Sequence, residues 1–241
     1  MLSFLSNYWL ALLLTAVGGY LLGSINWAII ITRTIFRKDI RDEGSGNAGA
    51  TNVLRNHGRG PAILTTLGDV GKSMVAVLIG GWLLTNLPLG EPSLSGYRDW
   101  MQGNLSLIGG YIGGFFCLLG HDFPVFYGFR GGKGVLTTLG MFLMLDWRVA
   151  LISLGIFILI TALSRMVSLG SMLAIGCGVG FVFLFTWFWD PVELDPAPFS
   201  IFCTVMAALV WLLVVWQHRA NIVRICNGTE NKLGKKNGEK T

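Results

Sequence analysis

Long apolar runs recur along the whole sequence, and they constrain the fold more than any other feature. A helix needs roughly 20 apolar residues to cross the hydrocarbon of a membrane. The chain is 53% hydrophobic and only 13% charged, which is too apolar for one ordinary water-soluble domain. We therefore predict an all-α integral membrane protein. Its apolar runs cover residues 7–32, 61–89, 103–120, 135–163, 169–189 and 199–216.

The run 135–163 is much longer than the others and carries two charges, Asp146 and Arg148, near its middle. We predict two helices that meet there at a polar turn, which brings the number of transmembrane helices to seven. An odd number of crossings places the two termini on opposite sides of the membrane. The first run has no basic region before it and no convincing cleavage site, so we expect it to be a retained helix.

The distribution of Lys and Arg predicts the orientation, because positively charged loops tend to stay in the cytoplasm. Basic residues concentrate in 33–60, 121–134, at Arg165 and after residue 217, whereas the opposite loops carry mainly acids. We predict an external N-terminus and a cytoplasmic C-terminus. Residues 1–216 would form one transmembrane domain, and 217–241 a cytoplasmic helix end with a flexible tail. The net charge of +5 indicates contact with anionic lipid or substrate, and no platform for nucleic acid is visible.

The polar stretch 43–52, EGSGNAGATN, is typical of a phosphate site rather than of a simple connection. Its glycines let backbone N–H groups turn toward one anion. Arg55 follows Thr51 by four residues and would share its face if a helix begins there. The alternative is a flexible linker with a helix cap. The predicted binding residues of this segment are Gly44, Ser45, Gly46, Asn47, Gly49, Thr51, Asn52 and Arg55.

A second glycine-rich stretch, HDFPVFYGFRGGKG at 121–134, places Lys133 on backbone that can approach a ligand closely. It lacks the GxxxxGK[ST] spacing of a nucleotide loop, and so does GDVGKS at 68–73, so we exclude a nucleotide site. The alternatives are that His121 caps a helix end and that Lys133 only marks the bilayer edge. The candidate residues here are His121, Arg130, Gly131, Gly132, Lys133 and Gly134.

Two further segments carry weaker signals. Ser168 and Ser171 lie at the start of a predicted span, where small residues also serve close helix packing. His218 and Asn221 fall three residues apart on one face of a predicted helix, with Arg224 nearby. The alternative for this last group is a basic anchor at the lipid headgroups.

Asp69 and Lys72 lie inside a predicted span, where each charge costs on the order of 2.5–3.5 kcal/mol, so we expect them to neutralise each other. Several catalytic motifs are missing from the sequence. There is no GxSxG elbow, no metal-binding CxxC or HExxH set and no HxxxxD pair. We therefore predict no metal and no cofactor.

Four segments taken in order, DIRDEGSGNAGATNVLR, GHDFPVFYGFRGGKGV, SLGS and HRANIVR, closely resemble the bacterial membrane family of acyl-phosphate:glycerol-3-phosphate acyltransferases, the PlsY family. The resemblance covers most of the chain and implies seven transmembrane helices. It implies transfer of a fatty acyl group from acyl phosphate to the 1-hydroxyl of glycerol 3-phosphate, without acyl-CoA. The product, 1-acyl-glycerol-3-phosphate, is the first acylated intermediate of phospholipid synthesis.

The same resemblance implies catalytic roles for Ser45, Arg55, Lys133, His218 and Asn221. The remaining candidates would bind phosphate, with Asp69, Lys72 and His121 in support. An acyl phosphate is already activated, so positioning and charge stabilisation would suffice, and the proton would pass to a substrate phosphate or to His218. One departure from the family is FRGGKG in place of FKGGKG, which leaves the contacts of Arg130 open.

A transporter of small anions would also combine many spans with glycine-rich cationic segments. Transporters usually place broken helices near the midplane and contain inverted repeats. No repeat is visible here, and the polar motifs fall at one predicted face. The sequence therefore favours an enzyme at the membrane surface, with its site facing the cytoplasm.

Overall fold

The computed structural model of the chain describes residues 2–89, 98–189 and 196–233. The regular secondary structure of these residues is all helical, without a strand, which confirms the predicted all-α class. In chain order the α-helices of this part are α1 (Leu2–Ser24), α2 (Trp27–Phe36), α3 (Ala50–His57), α4 (Arg59–Asn86), α5 (Arg98–Asp122), α6 (Val135–Leu145), α7 (Trp147–Ser164), α8 (Val167–Phe188), α9 (Pro196–Gln217) and α10 (Arg219–Cys226).

Five helical segments of the described chain are long and apolar enough to cross a membrane: Ser6–Phe36, Arg59–Asn86, Trp147–Ser164, Val167–Phe188 and Ala197–Gln217. The helix α5 is not among them, and α6 has only 11 residues. A helix of that length extends about 17 Å, well short of the hydrocarbon thickness. The count of seven crossings and the sides of the termini therefore stay predictions.

Polar residues interrupt the helices at two places. Asp146 ends α6 and caps α7 by accepting a hydrogen bond from the backbone N–H of Arg148 at 2.9 Å. The predicted polar turn inside 135–163 is thus confirmed. The first predicted span is also broken, because Asn26 caps α2 and its side chain accepts from the N–H of Ile29 at 3.2 Å. That span continues to Phe36, four residues beyond its predicted end.

Small residues let α1, α4 and α5 pack very closely. A Cβ added to Gly109 on α5 would lie 2.1 Å from the carbonyl oxygen of Gly80 on α4. A Cβ added to Gly23 on α1 would lie 2.0 Å from the carbonyl oxygen of Cys117 on α5. Close approach of backbones is how helices associate where lipid removes the hydrophobic driving force. On the outside, large apolar side chains such as Leu163 (79% exposed) face away from the bundle.

The helix ends that carry the polar motifs meet at one end of the bundle. Successive helices alternate in direction, so the start of α4, the end of α5, the start of α6, the end of α7, the start of α8 and the end of α9 come together. The grouping of the four motif segments on one face follows from this. Most of the two loops without an assigned role, 90–102 and 190–198, lies outside the described residues, as does 234–241 in the predicted tail.

Candidate active site

A cavity of about 720 Å³ opens at this end of the bundle. All four motif segments contribute to its wall, although its motif residues Ser45 and Arg224 lie toward opposite ends of the sequence. Polar, cationic and apolar side chains all contribute to the wall. The predicted site residues that line it are Ser45, Gly46, Asn47, Gly49, Thr51, Asn52, Arg55, Asp69, His121, Lys133, Gly134, Ser168, Ser171, His218, Asn221 and Arg224.

Direct contacts join the two glycine-rich segments. Arg41 donates from Nη1 to the carbonyl oxygens of Tyr127 at 2.6 Å and Arg130 at 3.2 Å. Asp39 holds the Arg41 guanidinium from the other side at 2.8 Å. The backbone N–H of Ala48 donates to the carbonyl of Gly131 at 3.4 Å. The two loops therefore form one wall of the cavity.

The structure corrects the expected role of Asn52. Its side chain is buried, and its Nδ2 donates to the carbonyls of Ile40, Glu43 and Asn47 at 2.9 to 3.1 Å. Its Oδ1 accepts from the N–H of Ser45 and from Asn56. With its donors committed to the backbone, Asn52 shapes the loop and is not free to hold a phosphate.

The expected nest of loop N–H groups is also wrong in detail. The N–H of Ser45 goes to Asn52, that of Gly46 goes to the carbonyl of Glu43 at 3.0 Å, and that of Gly49 goes to Asn47 at 3.0 Å. Gly44 and Gly46 have positive φ angles of 57° and 71°, which explains the glycines as turn residues. These three N–H groups therefore stabilise the loop itself and do not point to an anion.

Open backbone donors come instead from three helix N-termini that converge on the cavity. The helices α3, α6 and α8 begin after Gly49, Gly134 and Met166, and none of these residues makes a side-chain capping bond. The first N–H groups of a helix have no partner inside it, and they carry the positive end of the helix dipole. Residues of all three first turns line the cavity: Ala50, Thr51, Val135, Leu136, Val167 and Ser168. Such ends are ready-made anion sites.

Two cationic side chains add to the positive potential of these helix ends. Arg55 is exposed to the cavity on the same face of α3 as Thr51, as predicted, and no hydrogen bond or ion pair engages it within the described residues. Lys133 donates to Oδ1 of Asn221, which joins the second motif to the fourth. Burial, followed by the charge of Arg224, lowers the pKa of Lys133 to about 8. A bound anion would stabilise the charged form.

We expect kcat/KM of the protein for its anionic substrates to fall as the pH rises through about 8, because Lys133 then loses its proton and its charge. An arginine at this position stays charged over that range. A pH profile of the wild-type protein beside Lys133→Arg checks this. Any activity left in the variant should lack the alkaline decline. A wild-type profile that stays flat to pH 9.5 would contradict the predicted loss of activity on deprotonation of Lys133.

His218 lies between α9 and α10 with its ring in the cavity wall. Its Nδ1 lies 2.7 Å from the carbonyl of Val214 and donates to it, which leaves Nε2 as an acceptor. Burial and then the charge of Lys133 lower the pKa of His218 to about 4. The ring is therefore neutral at pH 7.

Glu230 is a site residue that the sequence analysis missed. We expected a flexible tail at the end of 217–241, but the Glu230 side chain is only 5% exposed. It accepts hydrogen bonds from Ser168 at 2.8 Å, Asn221 at 2.7 Å and Arg224 at 2.8 Å. These bonds lower the pKa of Glu230, although burial alone would raise it. The sequence signal that could have identified Glu230 is its position as the first acidic residue after Arg219 and Arg224.

We expect Glu230→Gln to loosen residues 227–233, because a neutral amide cannot accept all three bonds. Trypsin cleavage after the exposed Lys232 should accelerate by roughly tenfold or more, since hydrogen bonds to a charged group contribute about 1.5–3 kcal/mol. Glu43→Gln, on the other side of the site, serves as the control. The contribution of Glu230 to the stability of residues 227–233 is complete above pH 4.5, its ordinary pKa. This contribution is lost as the pH falls through the lower pKa of the folded state. Equal cleavage rates in all three proteins would contradict this role.

Other candidates take different positions. Ser171 donates to the carbonyl of Val167 at 2.8 Å within its helix. Arg130 is exposed and is not part of the cavity wall, so its placement gives no support to a phosphate contact. Gly44, Gly131 and Gly132 also lie behind the wall and act through backbone geometry.

Asp69 and Lys72 form the expected ion pair, with Nζ and Oδ1 3.0 Å apart. His121 joins them from α5, its Nδ1 lying 2.9 Å from Nζ of Lys72 and 3.4 Å from Oδ1 of Asp69. The absence of a local HxxxxD motif therefore does not exclude a histidine beside a carboxylate. The two residues are 52 positions apart and meet only in the fold.

A family model described as glycerol-3-phosphate acyltransferase matches residues 13–228. The chain belongs to the glycerol-3-phosphate acyltransferase family. Members of this family with the same description include a protein of Halalkalibacterium halodurans, 39% identical over 92% of this chain and 96% of its own length. A protein of Clostridioides difficile is 38% identical over 93% of this chain and 96% of its own. As a family member, the chain is a multi-span membrane protein of phospholipid biosynthesis.

Two solved structures of a glycerol-3-phosphate acyltransferase share the fold. The crystal structure of PlsY (YgiH), an integral membrane member of the family, in its glycerol 3-phosphate form has a TM-score of 0.73 and 30% identity. It covers 92% of this chain and 96% of that one. The lysophosphatidic acid form has a TM-score of 0.71 and 29% identity, covering 92% and 95%. The resemblance inferred from the four motifs is thereby confirmed.

Proposed function

We propose that this glycerol-3-phosphate acyltransferase uses acyl phosphate as its donor. It transfers the acyl group to the 1-hydroxyl of glycerol 3-phosphate and releases phosphate and 1-acyl-glycerol-3-phosphate. The observation that carries the proposal is the convergence of three uncapped helix N-termini with Arg55 and Lys133 on one cavity. Both substrates bear a phosphate, so the reaction needs two anion sites side by side. This set of donors can supply both.

The lining of the cavity also suits a lipid donor. Apolar residues of α3, α4, α6 and α7 contribute to it, namely Leu54, Ile63, Leu136 and Phe157. An acyl chain of the donor would lie against these residues, with its phosphate toward Lys133. The membrane itself would then deliver the lipid substrate. No acyl-CoA and no other cofactor is required, because the mixed anhydride is already activated.

The proposed step is direct attack of the glycerol hydroxyl on the acyl carbonyl. The C–O bond to the hydroxyl oxygen forms, the carbonyl oxygen becomes an oxyanion, and the bond to the phosphate oxygen then breaks. Lys133, Arg55 and the helix N-termini stabilise the negative charge that moves from the oxyanion to the phosphate. Ser45 and Asn221 line the same cavity and would orient the two substrates.

The hydroxyl proton has two candidate acceptors. A substrate phosphate has a second pKa near 6, close to the working pH. His218 offers a free Nε2, but its pKa of about 4 makes it a weak base before substrate binds. The low value favours the substrate phosphate, with Nε2 of His218 accepting a hydrogen bond from the hydroxyl and orienting it.

The cavity would open on the cytoplasmic side of the bacterial inner membrane, because the helix ends around it carry most of the Lys and Arg residues. This orientation requires all seven predicted spans, including α5 and the short α6, and an external N-terminus. Residues 1–216 would then be the transmembrane acyltransferase domain, and residues from 217 the cytoplasmic end.

The test uses purified protein in detergent with palmitoyl phosphate and glycerol 3-phosphate. Phosphate release should require glycerol 3-phosphate and saturate with both substrates. A preparation that binds both compounds but releases no phosphate would refute the proposal. A transporter finds no support in the comparisons, and vesicles containing the protein should accumulate no labelled glycerol 3-phosphate when the donor is absent.

A further inference from the structure

Three buried ionisable side chains stand together beside the cavity, and the reaction described above gives them no task. Asp69, Lys72 and His121 are 1%, 6% and 3% exposed. Asp69 and His121 reach the cavity wall. Burying charges costs free energy even when they are paired, and a well-packed apolar set would often be as stable. The cluster therefore calls for an explanation beyond mutual neutralisation.

Lys72 is the centre of the cluster. An ammonium group has three N–H donors and no acceptor. Its Nζ lies 2.9 Å from the carbonyl oxygen of Gly23, 2.8 Å from that of Ile25 and 2.9 Å from Nδ1 of His121. Both carbonyls belong to the break between α1 and α2, where no helical N–H reaches them. Oδ1 of Asp69 also lies 3.0 Å from Nζ, but neither oxygen of this carboxylate is hydrogen-bonded within the described residues. The three donors of the ammonium therefore meet the two carbonyls and Nδ1, and Asp69 balances the charge.

The contact with Lys72 decides which ring nitrogen of His121 carries the proton. Because the ammonium can only donate, Nδ1 must accept. The alternative, a proton on Nδ1 directed to Asp69, would need a bond of 3.4 Å, longer than the ordinary N–H···O range, and would set that proton against the ammonium. A neutral imidazole whose Nδ1 accepts carries its proton on Nε2.

The Nε2–H of His121 points toward the second glycine-rich segment. A Cβ placed on Gly132 would lie 2.0 Å from Nε2, so this nitrogen lies directly against the backbone that precedes Lys133. Within the described part of the chain, no group accepts a hydrogen bond from it. It is a donor without an acceptor, on a side chain that is only 3% exposed and lines the cavity.

We propose that Lys72 and Asp69 hold His121 as the Nε2–H tautomer, so that His121 donates a hydrogen bond to an oxygen of the substrate phosphate seated beside Lys133. This inference rests on the proposed function, which supplies the anion. His121 is then a binding residue, and Lys72 and Asp69 are positioning residues. A neutral donor is suited to this place because it adds a directed bond without further positive charge beside Lys133.

Kinetics of His121 variants form the first arm of the test. His121→Phe keeps the ring size and removes the donor, and should raise KM for one of the two substrates by on the order of 10- to 100-fold. His121→Gln returns an N–H near the position of Nε2 and should restore most of the affinity. Inhibition by inorganic phosphate, measured against each substrate in turn, shows whether the acyl phosphate or glycerol 3-phosphate takes the bond. A purely structural role predicts equal KM values in all three folded proteins.

The second arm measures the tautomer of His121 directly in the wild-type protein. The chain has three histidines, so ¹⁵N spectra of histidine-labelled protein contain few signals, assigned by single His→Gln changes. His218, which donates from Nδ1 to Val214, should show the opposite tautomer and serve as the reference. His121 should show protonated Nε2 that shifts when substrate is added. The double variant Asp69→Asn/Lys72→Met should show a mixture of tautomers.

Protonated Nδ1 on His121 in the wild-type protein would overturn the inference. So would an Nε2 signal that neither substrate moves, or an unchanged KM in His121→Phe. These failures differ from failure of the proposed function, because in each of them the wild-type protein still forms product from palmitoyl phosphate and glycerol 3-phosphate. Absence of that wild-type turnover would instead refute the proposed function.

Discussion

Lys133→Met should lower kcat of the protein with palmitoyl phosphate and glycerol 3-phosphate by roughly 10²–10³-fold, the loss expected when one donor to a developing oxyanion is removed. The methionine keeps most of the length of the side chain and removes its charge and its hydrogen bond to Asn221. Lys133 is half-buried at the meeting point of the second and fourth motifs. Steady-state rates and single-turnover rates of phosphate release measure the effect.

Lys232→Met provides the matched control for this change. Lys232 is exposed in the segment after α10 and does not line the cavity. Its variant should turn over at the wild-type rate within about twofold, since surface substitutions rarely change stability by more than about 0.5 kcal/mol. A Lys133→Met protein that folds, binds both substrates and keeps more than a third of the wild-type kcat would remove Lys133 from the catalytic set.

Gly132→Ala should raise KM for the substrates by on the order of a hundredfold, because misplacing a binding loop by about 1 Å costs this much. The new methyl carbon would lie 2.0 Å from Nε2 of His121 and 2.9 Å from the carbonyl oxygen of Ala48. Both neighbours are buried, so the loop has to move, and Lys133 moves with it. Substrate titrations of initial rates provide the measurement.

Gly155→Ala tests whether the effect belongs to this position. A Cβ at Gly155 in α7 meets nothing within 4 Å, and alanine favours a helix over glycine by about 1 kcal/mol. This variant should keep the wild-type KM and unfold at the same or a higher temperature. If Gly132→Ala binds both substrates as tightly as Gly155→Ala does, the close approach of this loop to His121 has no functional meaning.

The helices and the grouping of the motifs were predictable because they depend on local signals. Apolar runs identify helices. Asp146 indicates the turn between α6 and α7, because its short carboxylate can cap the start of a helix. The spacing of Thr51 and Arg55 places both on one face of α3, as the structure shows. Alternation of helix direction then brings alternate loops to one end of the bundle.

The remaining features depend on contacts between distant parts of the chain. The Asn52 amide could in principle donate to a phosphate, but it donates instead to loop carbonyls up to 12 residues away. Glu230 reaches Ser168 across 62 residues, and Lys72 reaches His121 across 49. The open N-termini of α6 and α8 also escaped notice, because an uncapped helix end is an anion site only when a cavity forms over it.

The measurement that tests the central claim most directly is identification of the acylated product and its donor. Purified protein would be incubated with ¹³C-labelled glycerol 3-phosphate and either palmitoyl phosphate or palmitoyl-CoA, and the products quantified by mass spectrometry with Lys133→Met as the blank. We predict labelled 1-palmitoyl-glycerol-3-phosphate and phosphate in equal amounts from palmitoyl phosphate, and no product from palmitoyl-CoA. Acylation that proceeds equally well from palmitoyl-CoA, or no labelled lipid from palmitoyl phosphate, would contradict the proposed reaction.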